Sequence, residues 1–346
     1  MSSDPGHADR SRPTGRSSGN VTLGDVARMA GVSPITVSRV LNHPELVTSD
    51  TLETVRRAIA ETGYVPNLLA GGLASSRTRL VAAIVPTLGN AMFIDTIQPL
   101  NDTLAEAGYQ LFLGLSGFPA AEEEDLLTGI LCRRPDAIVL TGVDHSGESR
   151  RRLDAARVPV GEMWDLTASP VDSVVGFSHE RVGREVARFL GAKGYETFAV
   201  ICAEDDRAQV RRRGFESQLA AMGHEVPVAV TVPTPTTVRL GREGLARLLA
   251  GGARPDAVFC SSDVLAQGVL AEAQSLGIRV PDDLAVMGFA DLDFAAYTYP
   301  ALSTVHIDRA AIGRQTAEIL LERLSGRRTE PAVVDVGFTI VERAST

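Results

Sequence analysis

The sequence predicts an all-α helix-turn-helix head followed by a two-lobed α/β core of parallel sheets. Three features carry this. Capped, glycine-ended helical periods fill residues 21–66. Beyond residue 79, β-branched runs alternate with amphipathic helical stretches. That alternation restarts after SVVGFSHERVG. Strands apolar along their whole length belong in parallel sheets covered on both faces by helices. With 346 residues and 44% hydrophobic content, the chain has core for more than one domain.

Residues 1–20 are rich in Ser, Gly, Pro and Arg and show no apolar period, so they read as a disordered, passive tail despite Arg10, Arg12 and Arg16. The head, residues 21–66, opens with Thr22 and Asp25 as a capping pair. Val26, Ala27 and Ala30 then share a face, and Gly31 supplies the turn. Ser33 is the N-cap of a second helix with Pro34 at its first position, where the missing N–H costs nothing. Val37, Val40 and Leu41 follow at helical spacing. A third helix runs from Thr48 to Thr62 with Leu52, Val55 and Ile59 on one face and Gly63 as its stop.

In such a motif the second helix enters the major groove N-terminus first, which points Pro34, Ile35, Thr36, Ser38 and Arg39 at base edges. Two short helices around a glycine also serve as plain scaffold. Here the outward residues Thr36, Ser38, Arg39 and Asn42 all bond to phosphates or bases, and a small core needs none of them. The cap residues Thr22 and Ser33 are counted with them. Charge fits this division: residues 1–79 hold nine Lys/Arg against seven Asp/Glu, and the remainder 25 against 36, within a formal charge of −9. Only the head suits phosphate.

In the core, LVAAIVP, QLFLGL, AIVLTG, VPVGEM and VDSVVGF read as the first lobe's strands, and FAVICA, VAVTV, AVFCSS and LAVMGF as the second's. Ligands bind beyond the C-terminal ends of parallel strands, so the residues there are the candidates. In the first lobe they are Asn90, Phe93, His145, Trp164 and Asp165. In the second they are Asp205, Asp206, Arg207, Arg211, Ser262, Asp263, Asp291 and Asp293. Several have structural readings as well: Trp164 as packing, Asp165 and Asp205 as helix caps, Arg211 as part of a solvated arginine run.

Cys132, Cys202 and Cys260 lie far apart without metal-ligand spacing, each in or beside an apolar segment, and read as buried thiols. No cofactor or metal is expected. No run of about 18 apolar residues and no signal peptide stands out, which makes the expected place the cytoplasm, away from membranes.

The stretch VTLGDVARMAGVSPITVSRVLN, with TGYVPN after it, resembles the DNA-binding head of the LacI/GalR family of bacterial transcriptional regulators, and the resemblance extends to the C-terminus. It implies a hinge helix over residues 67–79 and a periplasmic-binding-protein-like core over 80–346 that binds an effector and dimerises. Lobe one would take about 80–176 and 304–330, and lobe two about 177–303 and 331–343, with crossings near Phe177, Ser303 and Pro331. In the hinge, Asn67 matches the helix start and Leu73 the leucine that wedges a central base step. Gly71 and Gly72 depart from the pattern and weaken the helix by roughly 1 kcal/mol each relative to Ala.

The resemblance also assigns Asn90 and Phe93 to the cleft, Arg211 to the arginine that holds hydroxyls or carboxylates, and Ser262-Asp263 to the usual Asn-Asp. Many sugar-binding members carry Asp after the Gly-Phe pair, where Ala290 stands here. Loss of that carboxylate leaves Arg211 less neutralised and favours an anionic ligand. EMWDLTASPVDSVVGFSH and VDVGFTIVERAS resemble the gluconate-operon repressor branch, which implies a sugar acid such as gluconate, or its phosphate, as effector. The expected assembly is a homodimer on a pseudo-palindromic operator. The rival classes are a cleft enzyme and a sugar-binding receptor on the same core. No Gly-x-Ser-x-Gly elbow, Walker loop or His-Glu-x-x-His favours catalysis, and the DNA head argues against a receptor.

Overall fold

The computed structural model describes residues 21–65, 77–89, 91–117 and 120–346. The chain forms two compact units, residues 1–76 and 77–346. The expectations placed on the tail, on the hinge residues Asn67 and Leu73, and on Asn90 lie outside the described residues.

In the head, α1 (Leu23–Ala30), α2 (Pro34–Asn42) and α3 (Ser49–Thr62) enclose Val26, Ala27, Val37, Val40, Val55 and Ala58. Both halves of the capping box are made: the Asp25 amide donates to Thr22 Oγ1 (3.3 Å) and the Thr22 amide to Asp25 Oδ2 (2.9 Å). Gly31 ends α1 at φ +66°, left-handed backbone that disfavours any residue with a Cβ. Ser33 Oγ accepts from the Thr36 amide at 3.2 Å and sets the start of α2. A short 3₁₀ turn, Pro44–Leu46, joins α2 to α3.

The second unit carries two parallel sheets. Strands β1 (Leu80–Val85), β2 (Gln110–Leu115), β3 (Ala137–Thr141), β4 (Val160–Met163) and β5 (Ser173–Gly176) alternate with α4 (Ala91–Glu106), α5 (Ala120–Leu131) and α6 (Gly147–Ala156). Then α7 (His179–Ala192), β6 (Phe198–Ala203), α8 (Asp206–Ala221), β7 (Val228–Val232), α9 (Val238–Ala250), β8 (Ala257–Cys260), α10 (Asp263–Ser275) and β9 (Ala285–Met287) build the second lobe. The chain returns through β10 (Thr304–His306) and α11 (Arg309–Leu324) and ends with β11 (Val333–Asp335) and β12 (Thr339–Val341). The six-stranded sheet has the order β11-β5-β4-β3-β1-β2, the four-stranded sheet β7-β6-β8-β9, and β10 pairs antiparallel with β12.

Four details differ from the sequence reading. The last crossing falls later than Pro331: Val333–Asp335 pairs in parallel with β5, and the chain leaves the first sheet only after Val336 donates to the Gly176 carbonyl. The end of the chain is built into the second lobe beyond residue 343, with Ser345 Oγ donating to the Val286 carbonyl at 2.6 Å. Cys202 and Cys260 are buried, but Cys132 is exposed because α5 ends at Leu131 and the thiol falls on the turn after it. The sheet is also not covered everywhere. β2 is an edge strand, and Phe112 (54%), Leu113 (43%) and Leu115 (55%) stay exposed.

Helices α7 and α8 pack through glycines. A Cβ on Gly183 would lie 2.0 Å from the Arg211 carbonyl oxygen, and one on Gly214 would lie 2.3 Å from that of Glu180. No side chain fits there, so the backbones touch. This close approach sets Arg211 of α8 against His179, the first residue of α7.

Candidate functional site

In the head, α2 is buried along Val37 and Val40. The opposite stripe, at i, i+3, i+4 and i+7, is Ile35, Ser38, Arg39 and Asn42. Ile35 is 71% exposed, and Arg39 and Asn42 are exposed too. Asn42 Nδ2 donates to the Ser38 carbonyl (2.9 Å), and Ser33 Oγ lies 2.9 Å from Thr36 Oγ1, so the polar residues are ordered on the helix. Arg39 has no hydrogen-bond or ion-pair partner among the described residues. Thr22, Ser33 and Pro34 lie exposed at the helix starts. The face offers an apolar contact for a thymine methyl and a free guanidinium for guanine or phosphate.

In the second unit, a cavity of about 100 Å³ lies where the strand ends of the two sheets meet. Thr87 follows β1, Trp164 β4, His179 β5, Arg207 and Arg211 the end of β6, Thr234 and Thr236 β7, Ser262 β8, and Phe289 β9; Phe93 enters from α4. The cavity shares His179, Asp205, Arg207 and Thr234 with a wider, more polar cleft of about 1050 Å³. Apart from the wall that α4 supplies, the described lining follows the C-terminal ends of strands.

Trp164 is the pivot. Its backbone is left-handed (φ +72°), its ring meets Phe93 and Phe177 edge-on at 5.7 and 6.0 Å, and its carbonyl accepts from His179 Nε2 at 2.8 Å. His179 Nδ1 accepts from Arg211 Nη1, also at 2.8 Å. With one ring nitrogen donating and the other accepting, the imidazole is neutral. Burial, with Arg211 and Arg207 adding to it, holds its pKa well below the ordinary value. Arg211 also donates from Nη2 to the Ser261 carbonyl (3.0 Å) and lies 3.9 Å over the Phe289 ring. Burial lowers its pKa to about 10, so it remains a cation. The donors Arg211 Nε and Trp164 Nε1 are buried without partners.

The remaining candidates divide. Ser262 caps α10, accepting from the Leu265 amide, and lines the cavity. Asp205 caps α8 and lines both cavities. Asp165 lines the wider cleft; burial raises its pKa, opposed by a bond from the Leu166 amide and by Arg207 and Arg211. His145 stands in the wall of the wider cleft between Glu123 and Glu162. Asp291 is not brought to either cavity. Its backbone turns left-handed (φ +50°), and its carboxylate is taken by His306 Nδ1 (2.9 Å) and Arg343 Nη2 (2.8 Å) beneath the crossings. Asp263 turns away likewise, bonded to the Leu292 amide and Thr304 Oγ1. The sequence reading passed over His179, Thr234, Thr236 and Phe289. His179 lies only two residues past the Phe177 at which the strand VDSVVGF was ended, so the strand-end rule would have reached it.

The head matches the family described as bacterial regulatory proteins, lacI family, over residues 22–67, and the core matches the periplasmic binding protein-like domain over residues 187–346. The HTH-type transcriptional regulator GntR of Pseudomonas aeruginosa is 38% identical over 333 residues, 96% of this chain and 97% of the relative. The crystal structure of a LacI-family transcriptional regulator from Silicibacter pomeroyi superposes with a TM-score of 0.88 at 33% identity, covering 94% of this chain and 99% of that one. The transcription regulator GntR from Chromobacterium violaceum gives 0.73 at 36% identity over 77% of this chain and 98% of its own.

Proposed function

The chain belongs to the lacI family of bacterial regulatory proteins, and from that premise we propose that it works in the cytoplasm as a homodimeric repressor whose effector is a sugar acid, gluconate or a relative or phosphate of it. It is a DNA-binding transcriptional regulator and not an enzyme: its relatives along 96% of the chain are regulators. The observation that carries the effector is the charge of the cavity. Arg211 is buried as a cation beside Arg207, and among the described residues that line the cavity Asp205 is the one carboxylate set against the two. Two cations against one carboxylate leave an excess of positive charge, and a ligand carboxylate offsets its cost. Thr87, Thr234, Thr236 and Ser262 supply hydroxyls to meet those of a polyol chain.

In this reading two heads take the half-sites of a pseudo-palindrome, with Ile35 on a thymine methyl, Arg39 on a guanine or phosphate, and Leu73 at the central step. Effector binding shifts the population between DNA-competent and DNA-incompetent states. The exposed apolar edge of β2 is the natural meeting surface of two copies, since a bare strand edge with Phe112 and Leu115 outward calls for a cover. Arg39→Ala tests the reading face. It should weaken operator binding roughly 10- to 100-fold, the worth of one good base contact, and leave effector affinity unchanged. Full operator affinity in that variant would remove α2 from the groove.

A further inference from the structure

The two arginines of α8 that line the cavity are in different states. Arg211 is committed inward, to His179, to the Ser261 carbonyl and to the face of Phe289. Arg207, one helical turn earlier, makes no hydrogen bond or ion pair among the described residues. It is half-buried, lines both the narrow cavity and the wider cleft, and so stands at their junction. Its guanidinium carbon lies 5.7 Å from the centroid of Phe93, on α4 of the opposite lobe. Gly142 of the first lobe is close as well: a Cβ there would sit 3.5 Å from Arg207 Nη1. Arg207 thus reaches from the second lobe to the first.

We propose that Arg207 is the specificity-determining residue that reads the effector's negative charge, while Arg211 holds the uncharged part of the ligand. This rests on the sugar-acid reading above. A guanidinium lying against a ring keeps its N–H groups in its own plane, free to grip a carboxylate with two parallel bonds. Arg211 is held in place by its bonds to His179 and the Ser261 carbonyl and has its Nε donor left over, which suits single bonds to hydroxyls more than an end-on two-pronged grip. Residues 207 and 211 are also i and i+4 on one helix, where like charges repel, and an anion beside Arg207 relieves that repulsion. An acid group held there lies against Phe93 and Gly142, so the contact that reads the charge also joins the two lobes.

Trp164 is the only tryptophan of the chain and lines the cavity, so its fluorescence reports ligand binding directly. The experiment titrates the full-length protein with D-gluconate and with its neutral amide, gluconamide. Wild type should prefer the acid. Arg207→Gln should lose roughly 10- to 100-fold in affinity for gluconate, the worth of a charge-assisted bond, and little for the amide, so that the preference disappears. Arg207→Lys, which keeps the charge without the planar fork, should retain part of the preference, and it serves where glutamine disturbs folding. Undiminished preference in Arg207→Gln, or a preference lost in Arg211→Gln alone, would overturn the assignment. A wild type that binds the amide as tightly as the acid would do so too. Wild type that binds neither compound would overturn the sugar-acid reading itself, a result visible before any variant is made.

Discussion

His145 shows how one residue sets a pH dependence. Its Nδ1 lies 2.8 Å from Glu123 Oε1 on α5, and its Nε2 lies 3.3 Å from Glu162 Oε1 on β4. Burial works against the charge, but the two carboxylates carry the ring's pKa up to about 9. The folded value is above the unfolded one of about 6.5, so the contribution to stability is complete below about pH 6.5 and is lost as pH rises through 9. Thermal melts between pH 6 and 10 should show wild type losing stability across that window. His145→Gln should start lower, by several degrees, and fall less steeply. Parallel curves for the two proteins would mean that the ring is not charged in the fold. Single residues were also where the sequence was least legible. Asp291 and Ser262 both stand past strand ends, yet His306 and Arg343 claim the first and the cavity keeps the second. Nothing in the local sequence separates them, because the partners come from elsewhere in the chain.

Elements were more legible, since caps and apolar runs are local. Thr22 with Asp25, Ser33 with Pro34, and Gly31 and Gly63 at φ +66° and +64° mark the head's helix ends by chemistry that needs no tertiary partner. FAVICA and AVFCSS, apolar on both faces, became central strands. QLFLGL reads the same way and became an edge, because a run of apolar residues says that a strand is covered without saying by what. Val333–Asp335 has only three residues, and an apolar pair that short does not say which of the two sheets it joins, so the crossing reads as falling before it. If a second copy covers β2, Phe112→Asp with Leu115→Asp should shift the protein from dimer to monomer in sedimentation velocity while its circular dichroism is kept. A variant that sediments as wild type would free that edge from the interface.

For the whole molecule, the proposed function lies in coupling between the exposed face of α2 in one unit and the cavity of the other. Coupling of this kind is reciprocal: an effector that weakens operator binding by some factor must itself bind less tightly, by the same factor, to protein held on DNA. Typical couplings of 1–3 kcal/mol correspond to roughly 5- to 150-fold, well within reach of a titration. The most direct measurement is a gel shift of the full-length protein on DNA upstream of its own and neighbouring genes, with and without gluconate and 6-phosphogluconate. The account predicts a shifted complex whose midpoint moves at least several-fold with one of the two acids, and the direction of the move tells inducer from corepressor. A complex that neither acid alters, while a neutral sugar does, would contradict it.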